Sequence, residues 1–238
     1  PKAGCADNSH LSYCKDWTCG EDQFQCWSGI CINRTLLCDG SIDCPGTWDD
    51  EDGCPFTCSS VAPQCQCQDI NINCTSRGLT ALPTDAEKEI TWFYLGSNRL
   101  NETLNNSSFT NLGRLLYLDL SNNSICFLPP RMFSSLWRLT VLDLHDNCIT
   151  HLANGTFIGL ANLNGLHLQG NTLRTIEAMA FYGLSSLQTL DLHGHEIMHI
   201  QPEAFLGLRS LTVLDLSHNA ISYLEHGSLS GLPQLLFL

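Results

Sequence analysis

The chain is short of positive charge. Eleven lysines and arginines stand against 24 aspartates and glutamates in 238 residues, for a net charge of −13. That balance excludes electrostatic binding to nucleic acid or to an anionic membrane surface, and it favours basic partners or calcium. No apolar run approaches the ~18 residues of a membrane helix. No leader peptide is visible; the chain opens PKAGCADN, and the expectation is that a leader was removed or never included. Catalytic signatures are missing as well: there is no nucleophile elbow, HExxH, P-loop or GxGxxG. An enzyme is therefore not expected. With 43% hydrophobic and 15% charged residues, the chain is nevertheless a folded protein rather than a disordered one.

Cysteine is abundant instead. There are 14, twelve of them before residue 75. Such a dense, even count indicates disulfides formed in an oxidising compartment. Sequons for N-glycosylation at Asn33, Asn73, Asn101, Asn105, Asn106, Asn122 and Asn154 agree with passage through the secretory pathway.

The composition changes near residue 58 and again near residue 84. Residues 1–18 form a polar tail with Cys5 and Cys14. Residues 19–54 carry six cysteines spaced Cys-x6-Cys-x4-Cys-x6-Cys-x5-Cys-x9-Cys. Residues 55–57 are a short linker, and residues 58–83 hold a second cluster, Cys58, Cys65, Cys67 and Cys74. From 84 to 238 leucine takes over. ITWFYLGSNRL at 90, LLYLDLSNNSI at 115, LTVLDLHDNCI at 139, LNGLHLQGNTL at 163, LQTLDLHGHEI at 187 and LTVLDLSHNAI at 211 follow the pattern LxxLxLxxNxL. The steps are 25 and then 24 residues, and LLFL at 235 opens a seventh copy.

This is the leucine-rich repeat, with about six complete copies plus the start of a seventh. Each repeat supplies one short strand, and stacking builds a parallel sheet with strands about 4.8 Å apart. No repeat buries its apolar face alone, so the stack is the stable unit. Phe109, Phe133, Phe157, Phe181 and Phe205, with Leu229 next in the series, back the core on the far side. Asn98, Asn123, Asn147, Asn171 and Asn219 follow the strands, placed to satisfy backbone groups where the chain turns inward. His195 interrupts that series, either as a substitute donor or as a pH sensor. Strand alternation sends His193 and His195 to one side, but no third ligand accompanies them at a zinc-like spacing.

Residues 38–54, CDGSIDCPGTWDDEDGC, gather Asp39, Asp43, Asp49, Asp50, Glu51 and Asp52 in one short loop. Together with the cysteine frame, this loop makes residues 19–54 resemble an LDL-receptor class A module. The resemblance implies the pairs Cys19–Cys31, Cys26–Cys44 and Cys38–Cys54. It also implies one calcium ion, held by the side chains of Asp39, Asp43, Asp50 and Glu51 and the backbone carbonyls of Leu36 and Ser41. The last gap between cysteines is one residue longer than usual in the family. Asp49 with Asp50 is therefore the alternative to Asp50 with Glu51, and counting back from Cys54 favours the second pair. Calcium takes roughly six to eight oxygens, which suits so acidic a loop. A module this small needs bridges and metal in place of a large core. Phe24 and Ile32 are expected to form what core it has.

The cluster from Cys58 to Cys74, followed by GLTALP, resembles the N-terminal cap of extracellular leucine-rich-repeat domains. That likeness implies Cys58–Cys67 and Cys65–Cys74. Elimination leaves Cys5 with Cys14. Cys126 and Cys148 fall on adjacent repeat turns within disulfide reach, and a bridge or two buried free thiols are both open. No C-terminal cap follows, so a fragment of a longer protein is expected. The fold class is mainly β and irregular: a small disulfide-rich calcium module followed by a capped, curved solenoid.

A class A module directly before a capped array resembles the ectodomain of relaxin-receptor-like, type C leucine-rich-repeat G-protein-coupled receptors. PQCQCQDININC, at residues 63–74, looks like their cap. The resemblance implies an extracellular region whose concave repeat face captures a peptide hormone of the insulin/relaxin type. It also implies a seven-helix transmembrane domain in the parent protein, a G protein reached through it, and a class A module that serves in activation. The expected contacts are Trp92, Tyr94, Tyr117, Asp119, Asp143, Asp146, His167, Asp191 and Asp215. Acidic groups beside aromatic ones suit a basic, amphipathic ligand, although an aspartate in Leu-Asp-Leu-Ser is also common filler in leucine-rich repeats and serves simply to keep a face soluble. Two departures stand out. Only Pro55, Phe56 and Thr57 separate module from cap, where relaxin receptors carry a long linker. Leu36 occupies the place of the lysine-gripping tryptophan of lipoprotein-binding modules, which weighs against a scavenger receptor. The alternative function is a cell-adhesion or matrix protein that binds another protein constitutively.

Overall fold

The computed structural model describes residues 19–37, 42–47, 49–51, 64–68, 70–83, 90–101 and 103–238. They fall in two compact units, Pro1–Thr57 and Cys58–Leu238. In chain order the strands are β1 (Gln23–Gln25), β2 (Cys31–Asn33), β3 (Gln66–Gln68), β4 (Asn71–Asn73), β5 (Trp92–Tyr94), β6 (Tyr117–Asp119), β7 (Val141–Asp143), β8 (His151–Leu152), β9 (Gly165–His167), β10 (Thr175–Ile176), β11 (Thr189–Asp191), β12 (His199–Ile200) and β13 (Val213–Asp215).

In the first unit β1 and β2 pair antiparallel, with Phe24 opposite Ile32. Two short 3-10 turns, Arg34–Leu36 and Asp49–Glu51, follow. Asn33 caps the first, its side-chain oxygen accepting from the Thr35 N–H and hydroxyl. The core is small: Cys26, Ile32 and Cys44 are buried, with Phe24, Ile30 and Leu36 packed against them. Disulfides Cys19–Cys31 and Cys26–Cys44 tie it together. Expectations for Cys5–Cys14, Cys38–Cys54, Asp39 and Ser41 fall outside the described residues, as do Cys58 and the side chain of Glu51.

The second unit begins with a hairpin of β3 and β4, closed by Cys65–Cys74. That hairpin caps the stack by pairing β4 in parallel with β5. β5, β6, β7 and β9 continue the sheet in register, so Phe93, Leu118, Leu142 and Leu166 form one buried column. β11 and β13 form a separate parallel pair, and β8, β10 and β12 make a small parallel sheet of their own. Strands of two or three residues suffice here because their hydrogen bonds run between repeats. Each repeat is held by its neighbours rather than by its own length.

Behind the sheet, Phe109, Phe133, Phe157, Phe181 and Phe205 are fully buried. Their rings stack at 5.9, 6.4, 5.9 and 5.7 Å between centroids. The glycine two residues after each of the last three phenylalanines is required by the backbone. Gly159 and Gly183 have φ of 103° and 112°, and a Cβ on either would lie 2.6 Å from main-chain atoms of the preceding repeat. Cys126 and Cys148 are joined across adjacent repeats, with Cα atoms 4.4 Å apart.

The asparagines are the other periodic element. Asn147 donates from its amide to the Leu120, Leu144 and His145 carbonyls, and its Oδ1 accepts from the Ile125 N–H. Asn98, Asn123, Asn171 and Asn219 repeat the scheme. His195 keeps only part of it. Its ring is 5% exposed, and Nδ1 lies 2.9 Å from the Asn171 carbonyl. Nε2 is buried with no hydrogen-bond partner. Burial holds the imidazole below its ordinary pKa, so it is the neutral form that donates to Asn171. The N–H equivalent to that of Ile125 belongs to Leu173, and an imidazole offers no carbonyl oxygen to it. The parallel sheet divides between β9 and β11, at this same repeat junction.

Two outcomes follow for stability. His195→Asn restores the missing acceptor and raises the thermal midpoint, by about 1 kcal/mol of stability; an unchanged or lower midpoint contradicts the ladder account. Phe157→Ala opens a hole between two stacked rings and costs about 3–5 kcal/mol, read by denaturant unfolding.

Candidate functional site

The face of the sheet opposite the phenylalanines carries two columns. Register places Trp92, Tyr117, Val141 and Gly165 side by side, and beside them Tyr94, Asp119, Asp143 and His167. β11 and β13 supply Thr189 with Val213 and Asp191 with Asp215. At the cap end the aromatic groups meet. Trp92 stacks on Tyr117 at 5.1 Å, and Tyr94 lies 5.3 Å from Tyr117 and 6.2 Å from Trp92. Trp92 is 40% exposed, so the cluster offers an apolar surface rather than completing a core. Burial, with the charges of Asp119 and Asp143 and with Tyr94, pushes the Tyr117 phenol up to about 12. It stays protonated and available as a donor.

The aspartates of this face hold the turns that leave the strands. Asp119 Oδ1 accepts from the Ser121 N–H at 2.9 Å and its hydroxyl at 2.6 Å. Asp143 Oδ1 takes the His145 N–H at 3.1 Å and lies against the ring Nδ1 at 2.5 Å. Asp191 takes the His193 N–H, and Asp215 takes the Ser217 N–H and hydroxyl. One carboxylate oxygen of each is thus committed to the fold. The second oxygens differ: Asp191 Oδ2 receives Gln169 at 3.3 Å, and Asp119 Oδ2 lies where a Cβ on Gly96 would be, at 2.7 Å. Gly96 therefore makes room for that carboxylate. Asp146 sits apart in the left-handed turn (φ 52°), its Oδ2 3.8 Å from His145 Nε2.

The turn-holding role was missed in the sequence, where the aspartates stood only as capture groups or solubilising filler. The signal was present as Asp-Leu-Ser or Asp-Leu-His at the ends of β6, β7, β11 and β13, a spacing that lets a carboxylate accept from the N–H two residues on. A second correction concerns the histidines. His193 and His195 do not share a side. Both lie beyond β11, where strand alternation no longer applies; His195 turns into the core and His193 stays exposed.

In the class A segment, Asp49 and Asp50 are buried carboxylates at 3% and 0% exposure. Asp49 Oδ2 accepts the Trp27 N–H at 2.7 Å, and Asp50 Oδ2 accepts the Asp43 N–H at 2.6 Å. Asp49 also approaches the sulfurs of Cys26 and Cys44, but these are bonded to one another and offer no thiolate to a metal. Asp50, not Asp49, is thus turned toward Asp43. Asp43 Oδ2 is buried with no hydrogen-bond partner among the described residues. An orphaned, buried carboxylate oxygen beside a second buried carboxylate is what an oxygen-seeking cation compensates. Among the described residues, the carboxylates of Asp43 and Asp50 are oxygen donors of the kind calcium takes.

Two known families match. The low-density lipoprotein receptor domain class A matches residues 17–54, and the leucine rich repeat matches residues 88–148, 137–197 and 189–238. The chain belongs to the leucine-rich repeat family. This leucine-rich repeat chain is 39% identical over 128 residues to the G-protein coupled receptor GRL101 of Lymnaea stagnalis, covering 53% of the chain and 11% of that protein. It is 35% identical over 79 residues to leucine-rich repeat-containing protein 3 of Mus musculus, covering 32% of the chain and 30% of that protein. Among solved structures, the TLR13–ssRNA13 complex superposes with a TM-score of 0.59 at 32% identity, over 63% of this chain and 21% of that one. The chain therefore spans less than a third of each of these relatives. A class A module and leucine-rich repeats thus lie in one chain, and a G-protein coupled receptor is among the proteins it resembles. Among the described residues no helix is long and apolar enough to cross a membrane.

Separating the two roles of the aspartates gives a test. Asp119→Ala removes the turn acceptor and costs about 1 kcal/mol, whereas Asp119→Asn keeps an Oδ1 acceptor and stays within about 0.5 kcal/mol of wild type. Thermal unfolding of the two variants distinguishes them, and equal losses would contradict the assigned turn.

Proposed function

We propose that this chain is the extracellular ligand-binding region of a G-protein-coupled receptor, and that its sheet face recognises a peptide hormone of the insulin/relaxin type. The observation that carries the reading is the aromatic cluster of Trp92, Tyr94 and Tyr117 set directly beside the carboxylates of Asp119 and Asp143. An exposed indole gives a desolvated anchor, and neighbouring carboxylates select a ligand with basic side chains. Asp146, His167, Asp191 and Asp215 extend that surface along the stack. The likeness to a G-protein coupled receptor supports a parent protein with a transmembrane domain and a G protein as its partner. The chain acts by recognition rather than by catalysis. Its disulfides suit the oxidising space outside the cell.

In the class A module, Asp43 and Asp50, with Asp39, Glu51 and the carbonyls of Leu36 and Ser41, would hold one calcium ion. Bound there, calcium supplies charge compensation and cross-linking that a core of so few residues lacks. The module serves in activation. The exposed asparagines at Asn33, Asn73, Asn101, Asn105, Asn106, Asn122 and Asn154 are the sites for glycans. A glycan at Asn122 would stand next to Asp119 and Ser121 and crowd one edge of the recognition face.

Titration with relaxin-type peptides tests the capture site. Changing Asp119, Asp143, Asp191 and Asp215 together to asparagine keeps the turn acceptors and weakens binding at least tenfold; unaltered capture would place the site elsewhere. Calcium removal loosens residues 19–54 and leaves the repeats folded, as read by hydrogen exchange. A class A segment unchanged after chelation would refute the ion assignment.

A further inference from the structure

We propose that His193 and His218 form a binding site for a zinc-type divalent transition-metal cation at the strand ends of the last two full repeats. The site is separate from the calcium-type loop and does not depend on the hormone reading. The two imidazoles come from adjacent repeats and meet edge to face, with ring centroids 4.8 Å apart. Both residues are exposed, so an ion reaches them from solvent.

The hydrogen bonds around His193 fix which nitrogen is free. Ser217 Oγ lies 2.6 Å from Asp215 Oδ1, which also takes the Ser217 N–H. A carboxylate only accepts, so the Ser217 hydroxyl hydrogen is committed to Asp215. Ser217 Oγ must then accept from His193 Nδ1, 3.0 Å away. His193 therefore carries its proton on Nδ1 and its lone pair on Nε2. A metal-binding histidine has this arrangement, one ring N–H anchored on an oxygen and the other nitrogen open to the ion. The same ordering removes a catalytic reading of the Ser217–His193 contact, because the serine proton points to Asp215 and not to the imidazole. The Asp215 carboxylate, strengthened as an acid by its Ser217 hydrogen bonds and influenced by both imidazoles, supplies nearby negative charge.

His218 occupies the left-handed turn position, φ 55°, where the two preceding repeats have Gly170 and Gly194. Earlier repeats hold Ser97, Asn122 and Asp146 at this position, also with positive φ, so the turn accepts polar side chains as well as glycine, and it is the ring contact with His193 that singles His218 out. Nitrogen donors select zinc, copper or nickel over calcium and magnesium, which seek oxygen. Two protein ligands leave the remaining positions of a tetrahedral ion to water or to a donor on a bound partner.

The test is calorimetric titration of the whole chain with zinc, without a histidine tag and with calcium saturating. Wild type shows one site that is lost, or weakened at least tenfold, in His193→Ala and in His218→Gly. The second change suits the backbone and leaves the zinc-free thermal midpoint at or above wild type. Ser217→Ala frees the His193 tautomer and weakens zinc severalfold. His167→Ala and His199→Ala bind as wild type. Wild-type affinity in both His193→Ala and His218→Gly would overturn the site, as would equal losses in all four histidine variants, which would mean diffuse surface binding.

Discussion

The whole repeat array depends on one requirement: the backbone that turns inward after each strand must find hydrogen-bond partners inside the molecule. Asparagine meets it from a single side chain, donating to carbonyls of its own and the preceding repeat and accepting an N–H from the latter. Because those partners lie in a neighbouring repeat, no turn is satisfied alone. The phenylalanine stack obeys the same logic on the other side, each ring covering the next. Stability is therefore a nearest-neighbour property, and the hairpin closed by Cys65–Cys74 supplies the first neighbour.

A scaffold built this way leaves the strand face free of core duties, with one exception. The aspartates serve two masters: Oδ1 holds the turn and the charge as a whole faces the surface. This explains why acid recurs in register without requiring every carboxylate to touch a ligand. The aromatic cluster has no such second duty. Trp92 stacks on Tyr117 yet keeps much of its surface in water, and the proposed recognition site is centred there for that reason.

Much of this was legible in the sequence. A 24-residue period of leucine, phenylalanine and asparagine dictates strand position, inward face and register, and the comparisons support both the fold and the pairing of class A module with repeats. What escaped reading lay beyond the strands. His193 and His195 are two residues apart, but they sit in a turn, where the period of two fails; only the three-dimensional path sends one to solvent and the other to Asn171. The contact of His193 with His218 crosses 25 positions and depends on the left-handed backbone at His218. In the acidic loop Asp50 belonged to both ligand sets the sequence allowed; that Asp49 turns to the Trp27 N–H and the Cys26–Cys44 disulfide instead was not legible there.

The central claim is that a stack of mutually dependent repeats exists to display a recognition face. Hydrogen exchange of the chain with and without a relaxin-type peptide tests it most directly. The account predicts slowed exchange in Trp92–Tyr94, Tyr117–Asp119 and Val141–Asp143, with no change around Phe133 and Phe157. Protection confined to the phenylalanine side, or absent from those three strands at saturating peptide, would contradict it.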